Sequence, residues 1–272
     1  MTSAFAGAAP SGARRHRRTF VALLAALVAL AWLALWAWAR SPYARYLEHG
    51  DWLTSGPAAF ICRAVPAGDV VVPLALYTVA WILMTAAMML PTTLPLFDTF
   101  DRLTAQRADH GRLLLLLGLG YMVVWGAFGL LAHGLHSVLL ALLASSPTLA
   151  WHGWVIGAAV IALAGAFQFS SLKHRCLEKC RTPLSFVIGH WRGHAPARRA
   201  FALGAHPGLF CVGCCWALML LMFAVGAGSI GWMLTLAALM AIEKNMPWGR
   251  RLSAPLGVAL LAWAGVLVAL HA

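Results

Sequence analysis

Charge is what this 272-residue chain has least of: ten per cent of its residues are charged, eight acidic against twenty basic. An ordinary soluble domain carries about a quarter charged residues, and with 62% hydrophobic residues that class is excluded. No Gly-rich phosphate loop ending in Lys-Ser or Lys-Thr occurs, so nothing here would drive ATP-dependent pumping by this chain alone. No repeat of about 20–50 residues and no low-complexity linker divides it, which leaves one domain. The six cysteines lack the even spacing of a secreted framework, which argues against a disulfide scaffold.

What is present in quantity is apolar sequence in runs approaching the roughly 20 residues that cross a hydrocarbon core of about 30 Å. The runs predict about seven spans: residues 19–39, 70–90, 113–131, 151–171, 209–227, a shorter one ending at Glu243-Lys244, and 256–271. The third pattern continues past His133 and His136 to Leu143, as one long tilted helix or a separate interfacial piece. The expected fold is all-α, a polytopic transmembrane helical bundle over residues 19–272 behind a basic tail of residues 1–18. The first run is longer than a signal-peptide core and lacks a clear cleavage pattern, so it reads as an uncleaved span.

The basic residues fall unevenly between the runs. Seventeen Lys and Arg lie in the N-terminal tail and the loops after spans two, four and six; only Arg40, Arg45 and Arg63 lie in the alternate loops. Positive residues mark the cytoplasmic side, so the N-terminus is expected to be cytoplasmic, in a bacterial inner membrane. The net charge of +12 thus reads as a topology signal with the bilayer as partner, and a nucleic-acid partner is discounted.

The stretch Cys211-Val212-Gly213-Cys214-Cys215-Trp216 is expected to open the fifth span. At about 100° per helical residue, Cys211, Cys214, Cys215, Met219 and Met222 share one side. Cys176 and Cys180, four apart just beyond the fourth span, point the same way if the helix continues toward Pro183. Buried cysteine is often only a small apolar residue. Two helically phased clusters on one membrane side point instead to soft-ligand chemistry: four thiolates would close a zinc site, whereas two or three with thioethers suit Cu(I). Met84 and Met88 share a face of span two, with Met89 beside it, and Met233 and Met240 line the sixth; methionines alone are ordinary packing.

Gln168, Lys173, Glu243 and Lys244 lie at predicted span ends, where ionisable groups are either paired and functional or simply snorkel to water. His133, His136 and His152 fall near the opposite face, where surface histidines are commoner than ligands, and Cys62 has no cysteine partner on its own side.

The run Met84 to Pro91, the set Gln168, Lys173, Cys176, Cys180, Arg181 and Pro183, the stretch Gly208 to Met219 and the pair Glu243-Lys244 together resemble a bacterial family. Its members are described as metal-binding integral membrane proteins, some labelled copper chaperones, and the resemblance covers about residues 70–250. It implies a metal without naming it. Gly226-Ala227-Gly228-Ser229 stands where the family pattern has Gly followed by a further Met, so no ligand is assigned there.

Three readings follow. The first is handling of a soft metal, Cu(I) foremost and zinc second, by Cys176, Cys180, Cys211, Cys214 and Cys215, with Met84, Met88, Met219 and Met222 as secondary ligands and a metal-donor or metal-acceptor protein as partner. The second is a membrane oxidoreductase or metal-dependent oxygenase component built on the same thiols. The third is a structural zinc site.

Overall fold

A computed structural model describes residues 11–41, 71–145, 153–182, 187, 189, 191, 195–225 and 229–271; Cys62 and His152 lie outside the described residues. Among the described residues the structure is all-helical, without strands. The α-helices are α1 (Ser11–Ala39), α2 (Val71–Met89), α3 (Leu94–Thr104), α4 (His110–Ser145), α5 (Gly153–Phe167), α6 (Ser171–Arg181), α7 (Pro196–Val225), α8 (Ile230–Asn245) and α9 (Ser253–His271). Short 3-10 turns, Leu90–Thr93 and Gly249–Leu252, precede α3 and α9.

Among the described residues, five segments are long and apolar enough to cross a membrane: Val21–Ala39, Leu74–Thr104, His110–Leu139, Pro196–Met222 and Gly249–His271. A sixth is added if Trp154–Phe167 and Ser171–Arg181, bent by 63° at their junction, count as one. The remaining run predicted as a span is α8, which has 16 residues.

Two boundaries differ from expectation, each for a local reason, and one open choice is resolved. The fourth run does not extend as one helix through Cys180: Ser170 is extended, its side chain accepts the Leu172 N–H, and a new helix, α6, starts there. The third run is one helix of 36 residues, which settles the choice between a long helix and two pieces. The largest difference is α7, which begins at Pro196 and not near Leu209. Proline is favoured at a helix start because its missing N–H would be unpaired there anyway. Pro207, inside α7, removes a backbone donor without ending the helix. The cysteines therefore do not open the helix; they lie about halfway along it.

The core joins α4 and α7 through glycine. A Cβ on Gly204 of α7 would run into the Leu117 carbonyl oxygen of α4, and one on Gly120 of α4 would run into the Phe201 carbonyl oxygen of α7. Without side chains at these points the two backbones come close enough to touch. Farther along, Trp81 of α2 donates to the Trp125 carbonyl of α4 at 2.9 Å and packs against Gly129. His133 stacks on Tyr77 with ring centroids 3.9 Å apart, which gives it a packing role. At the polar connection between α3 and α4, the exposed Arg107 guanidinium hydrogen-bonds Asp109 at 2.8 Å and holds its carboxyl below the usual carboxylate range.

Gly204→Ala is expected to destabilise the detergent-solubilised protein by about 1–3 kcal/mol through overpacking. Gly126→Ala, whose new methyl meets nothing within 4 Å, is expected to be neutral or stabilising by up to ~1 kcal/mol through helix propensity. Thermal unfolding of the two variants side by side checks this; equal behaviour would remove the close α4–α7 contact as a determinant of the fold.

Candidate metal site

The site is assembled where the end of α2, the first half of α4, α6, the middle of α7 and the end of α8 converge. Cys211, Cys214, Cys215, Met219 and Met222 are all buried, so the sulfur stripe faces the core as its spacing requires. The glycine contact between α4 and α7 sets Tyr121 against this stripe, with its hydroxyl 2.9 Å from Cys211 Sγ. Gly213 has a matching role toward α6. A Cβ there would stand 2.7 Å from Cys176 Sγ, so the glycine in the cysteine motif lets α6 lie directly on α7.

That approach brings the two cysteine clusters together: Cys180 Sγ is 3.9 Å from Cys214 Sγ. Cys176 and Cys180 are half-buried, and the other three thiols are buried. The Cys214 and Cys215 thiols both turn back to the Cys211 carbonyl, at 3.1 and 2.8 Å. Among the described residues no three His, Cys, Asp or Glu side chains converge in the manner of a closed metal site. A shared ion therefore needs at least one thiol to rotate to another staggered χ1 position.

Among the described methionines, Met89 places its thioether 4.0 Å from a thiol, Cys211 Sγ. Met84, Met88, Met219 and Met222 are buried in the same core. Reading span two for a helical face favours Met84 and Met88. Met89 reaches the thiols from the last position of α2, just before Leu90–Thr93 breaks the helical register. Tyr121 is likewise invisible to a search for ligands, because it acts through contact with Cys211 and lies 90 residues away in sequence.

The ionisable residues are not snorkelling. Lys173 and Glu243 are 0% and 2% exposed. Lys173 Nζ donates to both Glu243 carboxylate oxygens, at 2.8 and 2.9 Å, and also to the Gln168 side-chain carbonyl. Ser253 at the start of α9 donates to Glu243 at 2.7 Å. Arg181, in the last turn of α6, donates to the carbonyls of Glu243 and Pro247 at 2.6 and 3.2 Å, pairing acceptors that the end of α8 leaves open. Four elements are thereby pinned around one carboxylate, and the thiols of α6 are held beside those of α7.

Lys244, next along α8, points at the sulfur. Its Nζ is 2.9 Å from Cys211 Sγ, 3.7 Å from Met89 Sδ, 3.8 Å from Cys215 Sγ and 3.4 Å from Thr92 Oγ1. A narrow cleft, partly open to solvent, leads to this group. Its walls include Thr93, Lys179, Cys180, Phe210, Cys211 and Lys244. One half-buried thiol and one buried thiol thus line a common passage.

Lys173→Met alone is expected to cost about 3–5 kcal/mol, because it leaves the Glu243 carboxylate buried without its partner. Lys173→Met combined with Glu243→Gln should cost less than Lys173→Met alone, as read from denaturant unfolding; a double variant no more stable than the single one would show that the two groups are not coupled.

Compared with known proteins, residues 78–267 match the family model described as PpoB2, copper chaperone. No curated protein and no solved structure matches the chain.

Proposed function

The chain belongs to the PpoB2 copper chaperone family, and on that premise we propose that it is a multi-pass protein of the bacterial inner membrane that carries Cu(I) as cargo between protein partners. The observation that supports this most directly is the convergence of soft donors from three helices. Cys180 of α6 meets Cys214 of α7 at 3.9 Å, and Cys211 of α7 meets Met89 of α2 at 4.0 Å. Thiolate and thioether together suit Cu(I) better than Zn(II), which in structural sites takes four closed ligands of nitrogen, oxygen or thiolate.

In this reading Cys180, at the cleft, receives the ion with Cys214, and Cys176 supports the exchange one helical turn away. The ion then passes by ligand exchange to Cys211, Cys215 and Met89. The buried thioethers of Met84, Met88, Met219 and Met222 form the continuation of that path. Each step replaces one sulfur ligand by another, so the ion never has to be released bare into a low-dielectric interior.

The orientation follows the basic residues: with α8 as a short crossing and α5 with α6 as one broken crossing, the N-terminus is cytoplasmic and the cleft opens toward the cytoplasm. The exposed Lys179 and Arg175 near the thiols of α6 favour a donor or acceptor protein with an acidic face.

Elemental analysis after loading under reducing conditions tests the reading. About one copper per chain is expected, lost in a folded Cys214→Ser/Cys215→Ser variant, and bound more weakly by Met89→Leu. Zinc retained in preference to copper, or no metal after loading with either, would overturn it. Cys62→Ser is expected to keep the full copper content, measured in the same preparation.

A further inference from the structure

Lys244 is 7% exposed, and its nearest neighbour is a thiol sulfur, with two further sulfurs in reach. Glu243, the neighbouring carboxylate, is already engaged by Lys173 and Ser253. The Lys244 ammonium instead lies among the sulfurs of Cys211, Met89 and Cys215, at 2.9, 3.7 and 3.8 Å, with the Thr92 hydroxyl at 3.4 Å as a fourth neighbour. An ammonium has three donors and one unit of positive charge. It is thus a monovalent cation held by the same sulfur set that the proposed copper site uses.

Two cations cannot share that point, so a metal ion taken up by Cys211, Cys215 and Met89 has to displace the ammonium. Lys244 has somewhere to go: it lines the cleft, together with Thr93 and Lys179, and a lysine stem is flexible over four carbons. Charge decides which ion makes the exchange easily. For a given number of thiolates, replacing an ammonium by a monovalent ion leaves the charge inside the sulfur set unchanged. A divalent ion adds one uncompensated unit in a low-dielectric interior, where charge is expensive.

Resting on the copper reading above, we propose that Lys244 is a built-in occupant of the cargo site: a soft monovalent cation exchanges with its ammonium, which swings into the cleft, and this exchange sets a preference for monovalent over divalent ions. Lys244 keeps its proton and no electron is transferred; each cysteine that becomes a ligand gives up its S–H proton, which leaves to water by the cleft.

The chain has three lysines, which makes the test internally controlled. Lys179 is exposed and Lys173 fully buried in the ion pair. Full-length protein in detergent, stripped with a chelator or loaded with Ag(I), is treated with an amine-acylating reagent at fixed pH, and modification of each lysine is followed by mass spectrometry. Lys244 is expected to react at least about tenfold faster with Ag(I) bound, as a buried amine does when moved to water, while Lys179 remains reactive and Lys173 protected in both samples. Stoichiometric Ag(I) binding with no change at Lys244 would overturn the exchange while leaving the copper site standing. Failure to bind either Ag(I) or Cu(I) would overturn the copper reading itself, and the exchange with it. As a second measurement, Lys244→Gln is expected to lower the ratio of Ag(I) to Zn(II) affinity by about tenfold or more, since the divalent ion gains more from removal of the competing charge. An unchanged ratio would overturn the role of Lys244 in selectivity.

Discussion

The buried Lys173–Glu243 pair is the interaction on which the arrangement of the site depends. A carboxylate and an ammonium removed from water are each expensive, and here the cost is met by a complete set of partners, with Gln168 on the lysine and Ser253 on the carboxylate. The pair joins α6 to α8, Gln168 anchors it to the end of α5, and Ser253 anchors it to α9. Because Glu243 and Lys244 are consecutive, the same lock that satisfies one charge aims the next side chain into the sulfur cluster. Cys180 is likewise held seven residues, or two helical turns, beyond Lys173.

Around this lock the bundle uses small residues to bring large chemistry together. Gly120 and Gly204 let α4 touch α7, and Gly213 lets α6 touch α7. In both places the absent side chain is what brings another against the α7 cysteines or their helix, Tyr121 in the first case and Cys176 in the second. The sulfur cluster therefore belongs to the packed bundle and not to any one helix. A soluble peptide containing the cysteine motif would have the α7 thiols without Met89, Tyr121 or Cys180.

Much of the fold was legible as apolar runs, and the sulfur stripe was legible as helical phase: Cys211, Cys214, Cys215, Met219 and Met222 are buried together as their spacing implies. Less legible were positions where backbone geometry changes. The start of α7 at Pro196 was hidden because Arg198, Arg199 and His206 make its first turns resemble a polar loop. The start of α6 was hidden because the break at Ser170 depends on a side-chain cap within an otherwise continuous pattern.

The sequence by itself determined the helical class, the apolar segments and the two phased cysteine clusters, because hydrophobic burial and helical periodicity are local properties written in consecutive residues. Tertiary structure alone decided that Met89 rather than its helix-mates meets Cys211, that Tyr121 touches the same thiol, and that Lys244 enters the sulfur set instead of reaching water. Each of these is a contact between residues at least 29 positions apart. Such contacts depend on how closely glycine surfaces allow helices to approach and on where a buried ion pair locks them, and neither is encoded in the period of a single helix.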